Sequence, residues 1–202
     1  MRQANPAAIA GILAAVLWLG PARPAPAAVY QLDMNDAASP TWSGFAGVLR
    51  TTLYNPAPGY GWTSSPQYAQ DQGGQGGLND MLRDFHSDQD KRTFLADLSP
   101  GAYTVALYFR HDASAHDNIQ VWAEGNLVLP DVDVPQATTV TQFFAISVSD
   151  GQLALDIDDP DPPGGALDAD WILNGIVIVP EPAAAALLAA GFPALLRRRR
   201  KA

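Results

Sequence analysis

The sequence has no cysteine, so neither disulfides nor thiolate metal sites can hold it together. Basic residues are scarce in its middle. Between Ala28 and Val179 five Lys and Arg face twenty acids, a formal charge of −15. A body this acidic repels nucleic acid and anionic lipid, so no nucleic-acid partner is expected. Glutamate is nearly missing: 19 of the 21 acids are Asp. Asp is a turn residue and a ligand for hard cations, whereas Glu favours helices. No Gly-x-Ser-x-Gly nucleophile elbow occurs. No Lys-Ser/Thr follows Gly73, Gly74, Gly76 and Gly77, so Gln67–Asn79 reads as a surface loop, not a phosphate cradle. There is no internal repeat, and 202 residues leave room for one domain plus extensions.

What is present is period-two alternation. Tyr103, Val105, Leu107 and Phe109 fall on one face of an extended chain; Thr104, Ala106, Tyr108 and Arg110 fall on the other. Lys91–Leu98, Ala102–Arg110 and Ile119–Gly125 read as three consecutive antiparallel strands, the first two reversed by Ser99-Pro100-Gly101. Val29–Asn35 and Val48–Tyr54 precede them as strands, and Leu78–Phe85 reads as a helical turn. Leu127–Val134 and Thr138–Val148 follow as strands. Asp150-Gly151 signals a hairpin into Leu153, Leu155 and Ile157. Asp170–Val179 reads as one last strand. Eight or nine short strands with almost no helix predict an all-β fold, an antiparallel β-sandwich of jelly-roll type.

The two ends read as addresses. Arg2, the apolar run Ala7–Gly20 and Ala25-Pro26-Ala27 have the order of a secretory signal peptide over residues 1–27. The other end runs Pro180-Glu181-Pro182, an apolar Ala183–Leu196, then Arg197, Arg198, Arg199, Arg200 and Lys201. A short apolar helix with a basic stop suits a segment held transiently in a membrane. This end resembles the PEP-CTERM sorting signal of Gram-negative bacteria. The resemblance implies recognition by an exosortase-type membrane protease, transient inner-membrane association, and delivery to the cell surface or extracellular matrix. A plain C-terminal anchor is the alternative.

Sugar binding needs an aromatic platform beside planar polar groups. Tyr60 and Trp62, in a Gly-rich loop, are candidate platforms, with Arg83 and Asp84 as polar partners. Trp122 shares a face with Gln120 and Glu124, which predicts an outward ring. The alternative is that Trp62 and Trp122 cap the edges of the core. Asp156, Asp158 and Asp161, with Asp168 and Asp170 beyond, form a candidate calcium site; otherwise they are a solvated acidic edge that discourages aggregation. His111-Asp112 and His116-Asp117 have the residue types of a metal site or a general base, or are exposed loop histidines. Acid pairs for glycoside cleavage are too numerous to single one out.

Through Gly59-Tyr60-Gly61-Trp62, Arg83-Asp84, the central strands and Trp171-x-x-Asn174-Gly175, the body resembles the galactose-binding-like sandwich that precedes the catalytic domain of some agarases and rhamnogalacturonan-type esterases. It is more loosely similar to malectin-like modules. The resemblance covers Val29–Val179 and implies a carbohydrate-binding or accessory role. Three functions follow as expectations: a secreted polysaccharide-binding module, a structural or adhesive matrix protein, and a hydrolase whose site carries no motif.

Overall fold

The computed structural model describes residues 29–73, 80–160 and 170–181. The proposed leader, Asp161, Asp168, Pro182 and the apolar and arginine-rich tail lie outside the described residues. Among the described residues thirteen strands and one helical turn form in chain order. They are β1 (Tyr30–Asn35), β2 (Ala46–Leu49), β3 (Tyr60–Trp62), β4 (Tyr68–Asp71), α1 (Asp80–Arg83), β5 (Asp84–Asp88) and β6 (Arg92–Asp97). Then come β7 (Gly101–Phe109), β8 (His116–Ala123), β9 (Asn126–Val134), β10 (Val140–Val148), β11 (Gln152–Asp158), β12 (Trp171–Leu173) and β13 (Gly175–Pro180).

They make two five-stranded sheets, β10-β7-β13-β1-β2 and β3-β6-β11-β8-β9, and a three-stranded sheet, β12-β5-β4. Pairing is antiparallel except between β1 and β2, which run parallel. The inner rows of both large sheets share one core: Leu32, Val105, Leu107 and Ile176 from one, Phe94, Val121, Leu155 and Ile157 from the other. Burial follows the alternation, with Leu153, Leu155 and Ile157 fully buried on β11 and Tyr103, Val105, Leu107 and Phe109 on the inner row of β7. The expected all-β sandwich is the fold.

Its wiring differs from the expected meander. β6, β7 and β8 are consecutive but not neighbours: β7 lies between β10 and β13, while β6 and β8 flank β11 in the opposite sheet. Ser99-Pro100-Gly101 reverses the chain across the sandwich, and Asp150-Gly151 does the same between β10 and β11. The two arches meet where Leu98 N–H donates to the Gly151 carbonyl at 3.0 Å. Turn residues encode reversal, and whether the returning strand pairs or crosses depends on which sheet has an open edge.

The last strand is also two. β12 belongs to the small sheet and β13 to the first large one. The switch is Asn174, fully buried. Its Nδ2 donates to the Asp84 carbonyl at 2.6 Å and its Oδ1 accepts from Arg110 N–H at 2.6 Å. A Cβ on Gly175 would sit 2.5 Å from Met81 Sδ and 3.1 Å from the Leu32 carbonyl, so a larger residue there would have to displace the Met81 side chain and crowd the β1 backbone. Two further corrections follow. Residues 68–71, expected as loop, form β4; and β5, unforeseen, is buried along its whole length. β13 runs through Pro180, and Glu181 N–H donates to the Ala102 carbonyl at 2.8 Å. The strand therefore extends one residue past Val179, and Glu181 adds one more backbone bond to it. Among the described residues no helix is long and apolar enough to cross a membrane.

Candidate functional site

The Gly-Tyr-Gly-Trp stretch proves architectural. Gly61, at φ 147°, lies against residues 53 and 54, where a Cβ would fall 2.6 Å from backbone atoms. Trp62 is 0% exposed, with Phe94 edge-on at 5.1 Å and Trp171 stacked at 5.6 Å. Its Nε1–H donates to His86 Nδ1 at 3.1 Å. With that lone pair engaged, His86 Nε2–H points to the Asn35 carbonyl at 3.2 Å. Burial pushes the His86 imidazole down to about 4, so it is neutral here. Trp62 is therefore corrected from sugar platform to core. Tyr60 is half-buried between Tyr30 at 5.5 Å and Phe94 at 6.4 Å.

Arg83 and Asp84 are likewise engaged inward. Arg83 grips Asp71 through Nε at 2.9 Å and Nη2 at 2.5 Å, holding the Asp71 carboxyl below its usual range. Asp84 is fully buried, so it is corrected from an accessible sugar partner to a structural carboxyl. Trp122 does sit on an outer face, half-exposed, opposite Asp156 in register. Its ring carries the Lys91 ammonium 3.9 Å from the centroid, so a cation occupies the surface a sugar ring would use.

Asp156 and Asp158 share the outer face of β11. Asp156 accepts from Thr93 Oγ1 at 2.6 Å and lies 3.7 Å from Lys91 Nζ. Burial raises the Asp158 carboxyl above its ordinary value. Among the described residues no group of three His, Cys, Asp or Glu side chains is placed to hold a metal ion. Asp161 lies outside them.

The concave feature that gathers chemistry is elsewhere. Residues opposite one another in neighbouring strands share a face. Tyr68 is opposite Ser87 and Gln70 opposite Phe85, so these four line one face of the small sheet. The β7–β8 connection and Asp170 close over it, leaving a cleft of about 320 Å³ lined by Tyr68, Ala69, Gln70, Phe85, Ser87, His111, His116 and Asp170. A second hollow of about 270 Å³, lined by Gln70, Gln72, Asp112 and Ala113, adjoins it at Gln70.

Two side chains pin the connection. Gln72 Oε1 accepts from Asp112 N–H, Gln72 Nε2 donates to the Arg110 carbonyl at 3.2 Å, and Gln136 Nε2 donates to the Asp112 and Ala113 carbonyls at 3.2 and 3.1 Å. The two histidines, read in sequence as a candidate metal site or general base or as exposed loop residues, are in contact, and His116 opens β8 and is buried. His111 Nδ1 and His116 Nε2 are 2.7 Å apart, and the rings stack at 5.0 Å. His116 Nδ1 lies 2.9 Å from the Asp170 carbonyl, which can only accept. Nδ1 therefore carries the proton, and Nε2 accepts from His111 Nδ1–H. That leaves the outer nitrogen of His111, Nε2, as an acceptor. Burial lowers the pKa of both rings, and His116 nearby lowers that of His111 further, which favours the neutral imidazoles near pH 7. Phe85 packs on His111 at 4.6 Å as the floor, and Tyr68, 49% exposed, is the ring open to solvent. An open aromatic ring with its own hydroxyl, an exposed amide and a fixed imidazole acceptor are groups that bind a polyhydroxylated ligand. Tyr68, Gln70 and Ser87 escaped sequence reading. The alternating Tyr68/Gln70 pair was the available signal, hidden beside a Gly-rich run.

No family model matches the chain. It is 32% identical over 127 residues to beta-agarase A of Zobellia galactanivorans, a match covering 62% of this chain and 23% of the agarase. The chain thus spans about a quarter of that curated relative. Among solved structures, its fold is similar to that of protein YXIM of Bacillus subtilis (TM-score 0.56, 23% identity), over 75% of this chain and 39% of the other. It is also similar to the ANXUR2 extracellular domain of Arabidopsis thaliana (TM-score 0.55, 14% identity), over 76% of this chain and 48% of that domain. These likenesses fit the resemblance of the body and bear out the β-sandwich fold.

Proposed function

We propose that the chain is an exported, non-catalytic carbohydrate-binding sandwich, and that the cleft over the small sheet is where the glycan sits. The carrying observation is the cleft itself, where Tyr68 stands open beside Gln70, Ser87 and the proton-ordered His111–His116 pair. Likeness to part of a beta-agarase supports a polysaccharide as the ligand class. The charge of the body favours a neutral glycan: the region carries five bases against twenty acids, and Asp112 and Asp170 line the two hollows. Within this reading, residues 1–27 act as the leader and residues 180–202 as the sorting segment that an exosortase-type protease would recognise.

The test is retention on a neutral galactan gel beside an acidic polysaccharide. The wild-type chain is expected to be retarded on the first only. Tyr68→Ala and His111→Ala are each expected to weaken retention on the order of ten-fold, the equivalent of about 1.4 kcal/mol. Trp122→Ala should bind like wild type. Unchanged retention in both cleft variants with loss in Trp122→Ala would move the site to the outer face of β8 and overturn this assignment.

A further inference from the structure

The cleft does not end at Gln70. Gln72 N–H donates to the Arg83 carbonyl at 2.8 Å, which carries the β4–β5 ladder one residue past Asp71. Tyr68, Gln70 and Gln72 therefore share one face of the edge strand. Each step of two residues along it advances about 7 Å. The cleft of about 320 Å³ spans the first step, from Tyr68 to Gln70. The hollow of about 270 Å³ spans the second, from Gln70 to Gln72. The opposite wall advances with them: His111 lines the cleft, and Asp112 and Ala113 line the hollow. The two are successive parts of one trough along β4, with Gln70 between them. Either alone lies at the small end of the range for ligand pockets, about 300 Å³, and together they fall well inside it.

The side chains of the second part divide between wall and surface. Gln72 is spent on the wall, its amide bonded to the Asp112 N–H and the Arg110 carbonyl. Asp112 is paired with Arg110 Nη2 at 2.7 Å, so its charge is held in the wall as well. Gln70 and Ala113 are left exposed. They offer an amide that can both donate and accept, and a methyl group beyond it. Because Gln72 and Gln136 already pin the wall, a ligand that touches it has little loop ordering to bear.

We propose that the hollow beside Ala113 is a second sugar subsite, so that the unit recognised is at least a disaccharide laid along β4. This rests on the glycan reading of the cleft. One ring stands against Tyr68 and His111, the next lies over Gln70 and Ala113, and the Gln70 amide bonds to both. The second ring meets no unpaired charge, in keeping with a neutral glycan. A single sugar fills only the first subsite, so the chain selects polymer over monosaccharide.

The test uses the full chain, held on the neutral galactan gel and released by oligosaccharides of one, two and four rings prepared from the same galactan by partial acid hydrolysis. The concentration that releases half the protein is expected to fall on the order of ten-fold from one ring to two, and by less than about three-fold from two to four. Gln70→Ala removes the amide between the rings, and Ala113→Leu fills the second hollow. Each should abolish most of the step between one ring and two. Both positions are exposed, so the circular dichroism spectrum should not change. Tyr68→Ala should weaken one ring and two alike and keep the step. A retained wild-type chain that one ring releases as readily as two, or a step that survives both variants, would overturn the second subsite and leave the cleft standing. A chain that the gel does not retain would overturn both.

Discussion

Trp62→Ala is expected to destabilise the protein by about 3–5 kcal/mol in denaturant titration, the range for removing a fully buried aromatic. The cost has two parts. The indole fills the space between Phe94 and Trp171, and its loss leaves a cavity that two flanking aromatic rings cannot close. The indole N–H is also the donor to His86 Nδ1, and that nitrogen would be left unpaired in a site with no solvent access. Trp62→Phe should fall between, keeping most of the volume while orphaning His86. Tyr68→Ala is the contrast. Half-exposed and on the edge strand β4, it should change stability by less than about 1 kcal/mol while weakening glycan retention. Stability and binding therefore separate across two aromatics only six residues apart. A Trp62→Ala protein of wild-type stability that had lost its ligand would restore the platform reading of Trp62 and defeat the packing account.

That contrast marks where sequence reading succeeded and where it failed. Alternation located the inner rows of β7 and β11 correctly because the large apolar side chains of each fall on the fully buried row and smaller or polar ones on the other, so hydropathy tracks position. It failed at β5 for the opposite reason. Asp84-Phe85-His86-Ser87-Asp88 is buried along its length although three of its five residues are ionisable: Asp88 Oδ2 is held by Arg92 Nε at 2.6 Å, and His86 by Trp62 and Asn35. A strand that buries hydrogen-bonded polar residues looks like a loop in sequence. Wiring was illegible for another reason. Ser99-Pro100-Gly101 and Asp150-Gly151 are good reversal signals, and the same local chemistry serves an in-plane hairpin or an arch between sheets. The site was half legible. His111 and His116 were visible as chemistry, but nothing local shows that the intervening residues fold back to bring the rings to 2.7 Å. The aromatics in a glycine-rich setting pointed to Tyr60 and Trp62; here Gly61 serves a close backbone approach instead, and the open ring belongs to Tyr68.

Asp84→Asn is expected to become progressively more stable than wild type as pH rises from 4 to 8. Asp84 is fully buried; its Oδ2 receives Asn35 Nδ2 at 3.4 Å, while Oδ1 has no hydrogen-bond partner. Arg83 Nε stands 3.9 Å away, beyond hydrogen-bonding reach, and is committed to Asp71. Burial pushes the Asp84 carboxyl up to about 7, and Asp71 and Asp33 nearby add to the rise. Asp33, also fully buried, is pushed up to about 6, chiefly by burial. Between the ordinary value of 3.8 and the folded value, the native state holds a proton that the unfolded chain has released. The native state then binds more protons, so the contribution of Asp84 to stability falls as pH rises through this window and is level above it. Three pH units correspond to about 4 kcal/mol, an upper bound because the two carboxyls interact. His86 acts in the opposite direction: its depressed pKa adds stability as pH rises between about 4 and 6.5. The wild-type curve alone would mix the two. The difference between wild type and Asp84→Asn cancels the imidazole, so urea titrations of both proteins should give a gap near zero at pH 4 that widens by up to about 4 kcal/mol by pH 8. A flat difference, or one favouring wild type at high pH, would mean that Arg83 holds Asp84 as an ion pair. Asp84 would then be a buried anion rather than a carboxyl kept neutral by its surroundings.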